Sequence, residues 1–271
     1  MPDDLSVQAI EAAVHGRLGL PVRWFDVIGS TNDAAWEWAR EGAPAGALVV
    51  ANHQTEGRGR WDRAWIDRPG SSLMFSLILR PPLDGDAVSL LTTAVGLACA
   101  EAVEAITGLH TGLKWPNDVT SGGRKLAGLL VESATRGDRV ETAIAGCGLN
   151  VHLPPGMPTE VAAGAMGISD ALEPGTTIDR AGLLAGILAT FEVHYVRLYD
   201  PAGRNEVLRR AEERSDVLGR VVTVRTADGS SVSGIARRLL PSGALELEVG
   251  GAPHALHSAE ITQLRSAPRP S

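Results

Sequence analysis

Apolar residues recur at Leu5, Ala9, Ala12, Ala13 and Leu18, a helical period that ends near Gly19 and Pro21 and predicts a short leading helix. Ser30 followed three residues on by Asp33 resembles a capping box. It predicts a helix running through Arg40 and stopping at Gly42. Ala47–Ala51 and Leu73–Leu79 are short apolar runs that predict strands, separated by a stretch too rich in Gly and Arg for regular structure. Ala87–Ile106 carries the longest helical pattern. Ser89, Thr92, Thr93, Glu101 and Glu104 interrupt its apolar neighbourhood, which marks a core helix and not a membrane span. Leu126–Ser133 and Val140–Asn150 predict two strands around the turn Arg136-Gly137-Asp138, the second almost wholly apolar. Helices return at Ala181–Leu198 and Arg204–Leu218.

The pattern changes near Leu218. From Val222 to Ile261, short apolar runs alternate with the turn signals Asp228-Gly229, Pro241-Ser242-Gly243 and Gly250-Gly251, a spacing that predicts a small β-barrel. The chain therefore divides into residues 1–217 and 218–271, with a tail from Ser266 to Ser271 expected to be disordered.

Composition narrows the classes. The chain has 271 residues, 44% hydrophobic and 21% charged, as expected of a globular protein with a real core. A net charge of −7 argues against a sequence-independent grip on nucleic acid. Cys99 and Cys147 sit singly in apolar runs and read as buried free thiols, and the seven histidines form no ligand spacing. The acidic start, Met1 to Glu11, has no apolar core of a signal peptide, so the expected location is cytoplasmic, with no membrane partner. Of the 25 basic residues, 23 are Arg; Lys114 and Lys125, the two lysines, fall in one short stretch.

Three segments can carry chemistry. Gln54-Thr55-Glu56-Gly57-Arg58-Gly59-Arg60-Trp61 follows a predicted strand. Its glycines expose main-chain N–H groups, its arginines suit carboxylate or phosphate, and Trp61 and Trp65 suit a flat or aliphatic ligand. Lys114-Trp115-Pro116-Asn117-Asp118 and Gly123-Arg124-Lys125-Leu126-Ala127-Gly128 place both lysines at strand ends bordering loops, where a compact charge can follow an oxygen through a reaction. Gly146-Cys147-Gly148-Leu149-Asn150 is a strand whose glycines permit close backbone approach. Its Asn150 needs a hydrogen-bond partner, structural or ligand.

Taken in order with Gly29-Ser30-Thr31-Asn32, these segments resemble the bacterial biotin protein ligases, from about Trp24 to Leu264. The resemblance implies a class-II-synthetase-like α/β domain, a mixed sheet flanked by helices, followed by an SH3-like barrel. It implies ATP and biotin as substrates, with Mg²⁺ accompanying ATP, and a biotin carboxyl carrier domain as partner. It places Ser30, Thr31, Asn32, Gln54, Gly57, Arg58, Gly59, Arg60, Lys125 and Gly128 at biotin. Arg58, Arg60, Trp65, Asn117, Lys125 and Asn150 fall at the nucleotide, and Lys125, Arg60 and Asp118 are the catalytic set; no metal ligand of the protein is implied. Lys114 either steers phosphates or supports its loop.

Some family members carry a DNA-binding winged helix before this region, and the roughly 23 residues preceding Trp24 are too few for it. The expectation is a ligase without repressor activity or nucleic-acid partner, either a monomer or a ligand-induced dimer. Lipoate ligases share the α/β domain but typically carry Arg-Arg-x-Ser-Gly-Gly-Gly, where this chain has Gly57-Arg58-Gly59-Arg60. An RNA-binding module would call for repeated Gly-Arg units with interleaved aromatics and a basic surface, which the sequence lacks.

Overall fold

The computed structural model describes residues 4–226 and 229–265. The expected disorder of Ser266–Ser271 and Asp228 of the expected Asp228-Gly229 turn lie outside the described residues. Helix α1 (Val7–Ala13) is shorter than its periodic pattern; Val14 and Leu18 are buried in irregular chain beyond it. Strand β1 (Val22–Ile28) and helix α2 (Thr31–Arg40) follow. Ser30 caps α2, its Oγ accepting the Asp33 N–H at 3.5 Å, and Gly42 takes a φ of +96° just past its end. Then come β2 (Leu48–Gln54), β3 (Ser72–Leu79), α3 (Val88–Thr107), β4 (Gly112–Lys114), β5 (Asp118–Ser121), β6 (Arg124–Arg136) and β7 (Arg139–Asn150). Helices α4 (Thr159–Gly164), α5 (Arg180–Arg197) and α6 (Pro201–Glu213) precede β8 (Val221–Thr226), β9 (Ser231–Leu239), β10 (Leu245–Val249), β11 (Ala252–Leu256) and β12 (Ala259–Arg265). Helix α6 starts before Arg204 because Asp200 caps it and Pro201 suits a first turn, whose N–H groups have no intrahelical acceptor.

Seven strands form one mixed sheet in the order β1-β2-β3-β7-β6-β5-β4, with β1 and β2 parallel and the other pairs antiparallel. Strand β2 outruns its apolar stretch because pairing with β1 continues to Val27↔His53 and Ile28↔Gln54. The two-residue alternation assigns each side chain to a face. Leu73, Phe75, Leu77 and Leu79 of β3 and Ala145, Cys147 and Leu149 of β7 join the core built on α3. Ile78 and Ile144 turn to the other face, packing with Val49 and Ala35 beneath α2. Helix α3 is long and apolar enough to cross a bilayer, yet it lies between the sheet and α5 with most of its residues buried. Cys99 of α3 and Cys147 of β7 are both free and buried, and contact with Cys99 together with burial raises the Cys147 thiol well above its ordinary range.

The second sheet is antiparallel, in the order β11-β10-β9-β8-β12, around Val222, Val224, Ala236, Leu245, Leu247 and Ile261. Strands β11 and β12 remain its edges, so among the described residues the ladder is open and is not the closed barrel expected from the strand spacing. Bulges at Glu246/Leu247 and Ile261/Gln263 bend the sheet around its small core without joining those edges. Trp115 belongs to that core and donates its Nε1–H to Gly243 O at 3.2 Å, which ties the β4–β5 turn to the second sheet.

Candidate active site

A cavity of about 470 Å³ lies on the α2 face of the large sheet. It is walled by the start of α2, the loop after β2, the β4–β5 turn, the glycine-bearing parts of β6 and β7, and β12. Its floor follows from the strand alternation that sends Leu129, Cys147 and Leu149 to the core: Gly128, Gly146 and Gly148 point the other way. Gly128 and Gly148 are direct partners across the β6–β7 ladder. A Cβ on Gly148 would lie 2.7 Å from the Trp65 ring, and one on Gly128 would lie 2.8 Å from Lys125 Nζ and 3.0 Å from Trp65. A Cβ on Gly146 would overlap Asn32 Oδ1. The absent side chains are what let an indole, an amine and an amide lie on the sheet.

At the start of α2, the Thr31 N–H and Oγ1–H both donate to Gln54 Oε1, at 2.7 and 3.0 Å. Ser76 Oγ, buried in β3, lies 2.8 Å from Thr31 Oγ1 and 2.6 Å from Asn32 Oδ1. Asn32 Nδ2 donates to Glu132 Oε2 at 2.7 Å. This edge therefore presents fixed donors and acceptors to a planar polar group.

The two loop arginines differ. Arg58 pairs with Asp33 and with Glu132; burial works against its charge, but the two carboxylates outweigh burial and raise its pKa. Arg60 has neutral partners, donating to Ala259 O at 3.1 Å and Ser258 Oγ at 2.7 Å. Burial lowers its pKa, only partly offset by the more distant carboxylates of Asp118 and Glu260. A half-buried cation with no carboxylate in contact among the described residues suits an incoming anion. Trp61 forms the loop tip at φ +58°, and the loop is fixed to the second sheet by the Arg63–Glu260 ion pair and by Arg225 over the Trp61 ring.

Lys125 Nζ is 2.7 Å from Asp118 Oδ1 and 5.7 Å from the Trp65 ring centroid, while the Trp65 Nε1–H is buried without an acceptor among the described residues. Asn117 Nδ2 donates to Leu129 O at 2.8 Å, and Asn150 Nδ2 to Met166 O at 3.2 Å, so both amides brace the wall they line. Lys114 lines the cavity from the end of β4.

Of the residues expected at the site from sequence, all but Gly57 line this cavity. Gly57 is a spacer: a Cβ there would lie 3.1 Å from Trp65 and 3.2 Å from Gln54 Nε2. Gly146 and Gly148 were legible only as packing glycines, although glycine at every second position of an apolar strand signals a bare face. Ser76 had a comparable signal, a lone hydroxyl in an apolar strand. Glu132 and Glu260 had none, because each acts through a contact distant in sequence.

The model of the biotin/lipoate A/B protein ligase family matches residues 24–150. The bifunctional ligase/repressor BirA of Bacillus subtilis is 36% identical over 245 residues, covering 90% of this chain and 74% of that protein. The biotin–[acetyl-CoA-carboxylase] ligase of Mycobacterium tuberculosis is 33% identical over 252 residues, covering 90% of each. Among solved structures, the biotin protein ligase of Aquifex aeolicus in complex with biotin and ATP superimposes with a TM-score of 0.74 at 26% identity, covering 91% of this chain and 99% of that one.

Proposed function

Because the chain belongs to the biotin/lipoate A/B protein ligase family, among its biotin protein ligases, we propose that it joins biotin to a lysine of a biotin carboxyl carrier domain at the expense of ATP. In the first step the biotin carboxylate attacks the α-phosphate, giving biotinyl-5′-AMP and pyrophosphate. In the second, the acceptor amine attacks the acyl carbonyl and AMP leaves. The observation that carries this reading is the Lys125–Asp118 pair lying on the side-chain-free floor of Gly128 and Gly148.

The edge formed by Ser30, Thr31, Asn32 and Gln54 meets the ureido ring of biotin with groups already held in place. Lys125 bridges the biotin carboxylate and the α-phosphate, leaving Asp118 as negative charge builds on those oxygens; one such preorganised donor contributes about 2.7–4 kcal/mol. Asp118, released, accepts a proton from the incoming ammonium, which must become an amine before it attacks. Arg60 exchanges Ser258 and Ala259 for the phosphate, and the Gly57–Trp65 loop keeps water from the adenylate. Asn117, Asn150 and Trp65 wall the nucleotide.

Asp118 and Glu260 are the carboxylates lining the cavity, each already paired with a cation, and no cluster of three metal-ligating side chains occurs among the described residues. Mg²⁺ is accordingly read as travelling with ATP on its phosphates. We read the second sheet as the counterpart of the family's SH3-like barrel, with the boundary at 217/218, and the protein as cytoplasmic. Biotin-dependent exchange of pyrophosphate into ATP, with lipoate as the control, tests the first step. Exchange with biotin alone is the expected result; exchange with lipoate alone would reject the reading.

A further inference from the structure

We propose that His53 and Asp67 form a clasp that positions the Gly57–Trp65 loop, and Gln54 with it, so that the acyl adenylate is retained; the inference rests on the ligase reading above. Asp67 lies outside the cavity, yet its carboxylate is almost completely buried, with a side-chain exposure of 1%. Its Oδ2 is 2.9 Å from His53 Nδ1 and accepts the Gln54 main-chain N–H at 3.4 Å. Its Oδ1 is buried without a hydrogen-bond partner among the described residues.

The placement of these contacts gives them a role. The chain leaves β2 at Gln54, runs through the loop and returns at Asp67, so one carboxylate ties the outgoing limb to the returning one. Within the loop, cross-links are main-chain: the Gly59 N–H donates to Arg63 O at 2.6 Å and the Trp65 N–H to Gly57 O at 2.8 Å. At its far side the loop is docked on the second sheet through Arg60 and Arg63. In the proposed cycle the Arg60 part of that dock yields when Arg60 turns to phosphate, leaving Arg63 on Glu260. The near end must then hold the loop in register, and the His53–Asp67 contact is the side-chain link nearest the loop, with Asn52 Oδ1 accepting the Gly70 N–H farther along. It also sets the main chain of Gln54, whose Oε1 is already held by Thr31.

The spare oxygen separates this role from simple filling of space. A carboxylate taken so fully out of water is costly unless its acceptors are used. Burial raises the Asp67 carboxyl above its ordinary value, and the His53 contact offsets part of that rise. With two acceptor atoms for one ring N–H and one main-chain N–H, the clasp can keep His53 while the Gln54 limb shifts.

The test uses the full chain and the variants Asp67→Ala, His53→Ala, the double variant and Asp67→Asn. Three quantities are read: the rate at which enzyme-bound biotinyl-AMP escapes, the maximal rate of biotin-dependent pyrophosphate exchange, and the melting temperature. Each alanine variant is expected to speed escape about tenfold, the scale of one lost charge-assisted hydrogen bond, with maximal exchange little changed and melting lowered in Asp67→Ala, which leaves the Gln54 N–H unpaired. The double variant escapes no faster than Asp67→Ala, and Asp67→Asn, which keeps one acceptor but loses the charge and the spare oxygen, restores retention in part. Unchanged escape in Asp67→Ala, additive losses in the double variant, or failure of Asp67→Asn to restore retention overturns the clasp. An unmodified chain that forms no adenylate overturns the ligase reading itself.

Discussion

Lys125 reaches Asp118 by lying back over Gly128. The register of β5 against β6 shifts between Val119 and Thr120, so Asp118 faces Gly128 while Lys125 faces Thr120. The lysine side chain spans the offset, its Cε 2.9 Å from where a Cβ of residue 128 would be. A bulge, a glycine and a carboxylate together fix where one amine sits.

Replacing Lys125 by Ala is expected to slow biotin-dependent pyrophosphate exchange by about 10²–10³. Asp118→Asn is expected to slow transfer to the carrier far more than exchange, because Asp118 acts on the acceptor amine. Separate assays of the two steps check the split; equal losses in both would remove the proposed acceptor role.

Gly148→Ala sets a methyl against the Trp65 ring, and Gly128→Ala sets one against Lys125. Overpacking of this kind costs about 1–3 kcal/mol. In Gly148→Ala it is expected to appear as weaker ATP binding with near-normal maximal exchange. In Gly128→Ala it is expected to lower the maximal rate, since it displaces the amine. Steady-state kinetics with varied ATP distinguishes the two outcomes.

Glu260 holds both Arg63 of the loop and Arg225 of the second sheet. The arginines are well exposed, so Glu260→Ala is expected to change stability by no more than about 1 kcal/mol. Its effect should instead fall on the loop, as a raised KM for ATP and faster loss of the adenylate. A melting temperature that falls while KM stays constant would assign Glu260 to stability alone.

Much of this arrangement could be read from the chain. The capped start of α2, the Gly-Arg loop and the glycines of β6 and β7 carry local signals, because caps, turns and bare strand faces impose residue types on short segments. Strand β1 lacked such a signal: Val22–Ile28 mixes polar and apolar residues without alternation, since as an edge strand it is only partly covered. The open second sheet was also not legible, because strand spacing reports turns and not whether the last strand meets the first. The dock of Arg60 on Ser258 and the clasp of Asp67 on His53 depend on tertiary proximity.

Glu101 joins α3 to α5 and α6 through His194 Nε2 at 2.8 Å and Arg210. Burial alone would raise its carboxyl, but these two partners outweigh burial and hold its pKa at about 2. A depressed folded-state pKa contributes stability above the unfolded value, lost as pH falls through the folded value. Here that contribution is about 3 kcal/mol at neutral pH, declining between about pH 5 and pH 2. Glu101→Gln is therefore expected to be less stable than the parent at pH 7, with the gap narrowing across that window. Denaturant melts at several pH values check it, and a pH-independent gap would contradict the assignment.

The most direct measurement is the intact mass of a biotin carboxyl carrier domain after incubation with this protein, biotin and Mg-ATP, alongside the Lys125→Ala variant. The account predicts a gain of one biotinyl group on a single carrier lysine with the parent chain, and a gain slowed by about 10²–10³ with the variant. An unmodified carrier with the parent chain, or equal rates for the two proteins, would contradict it.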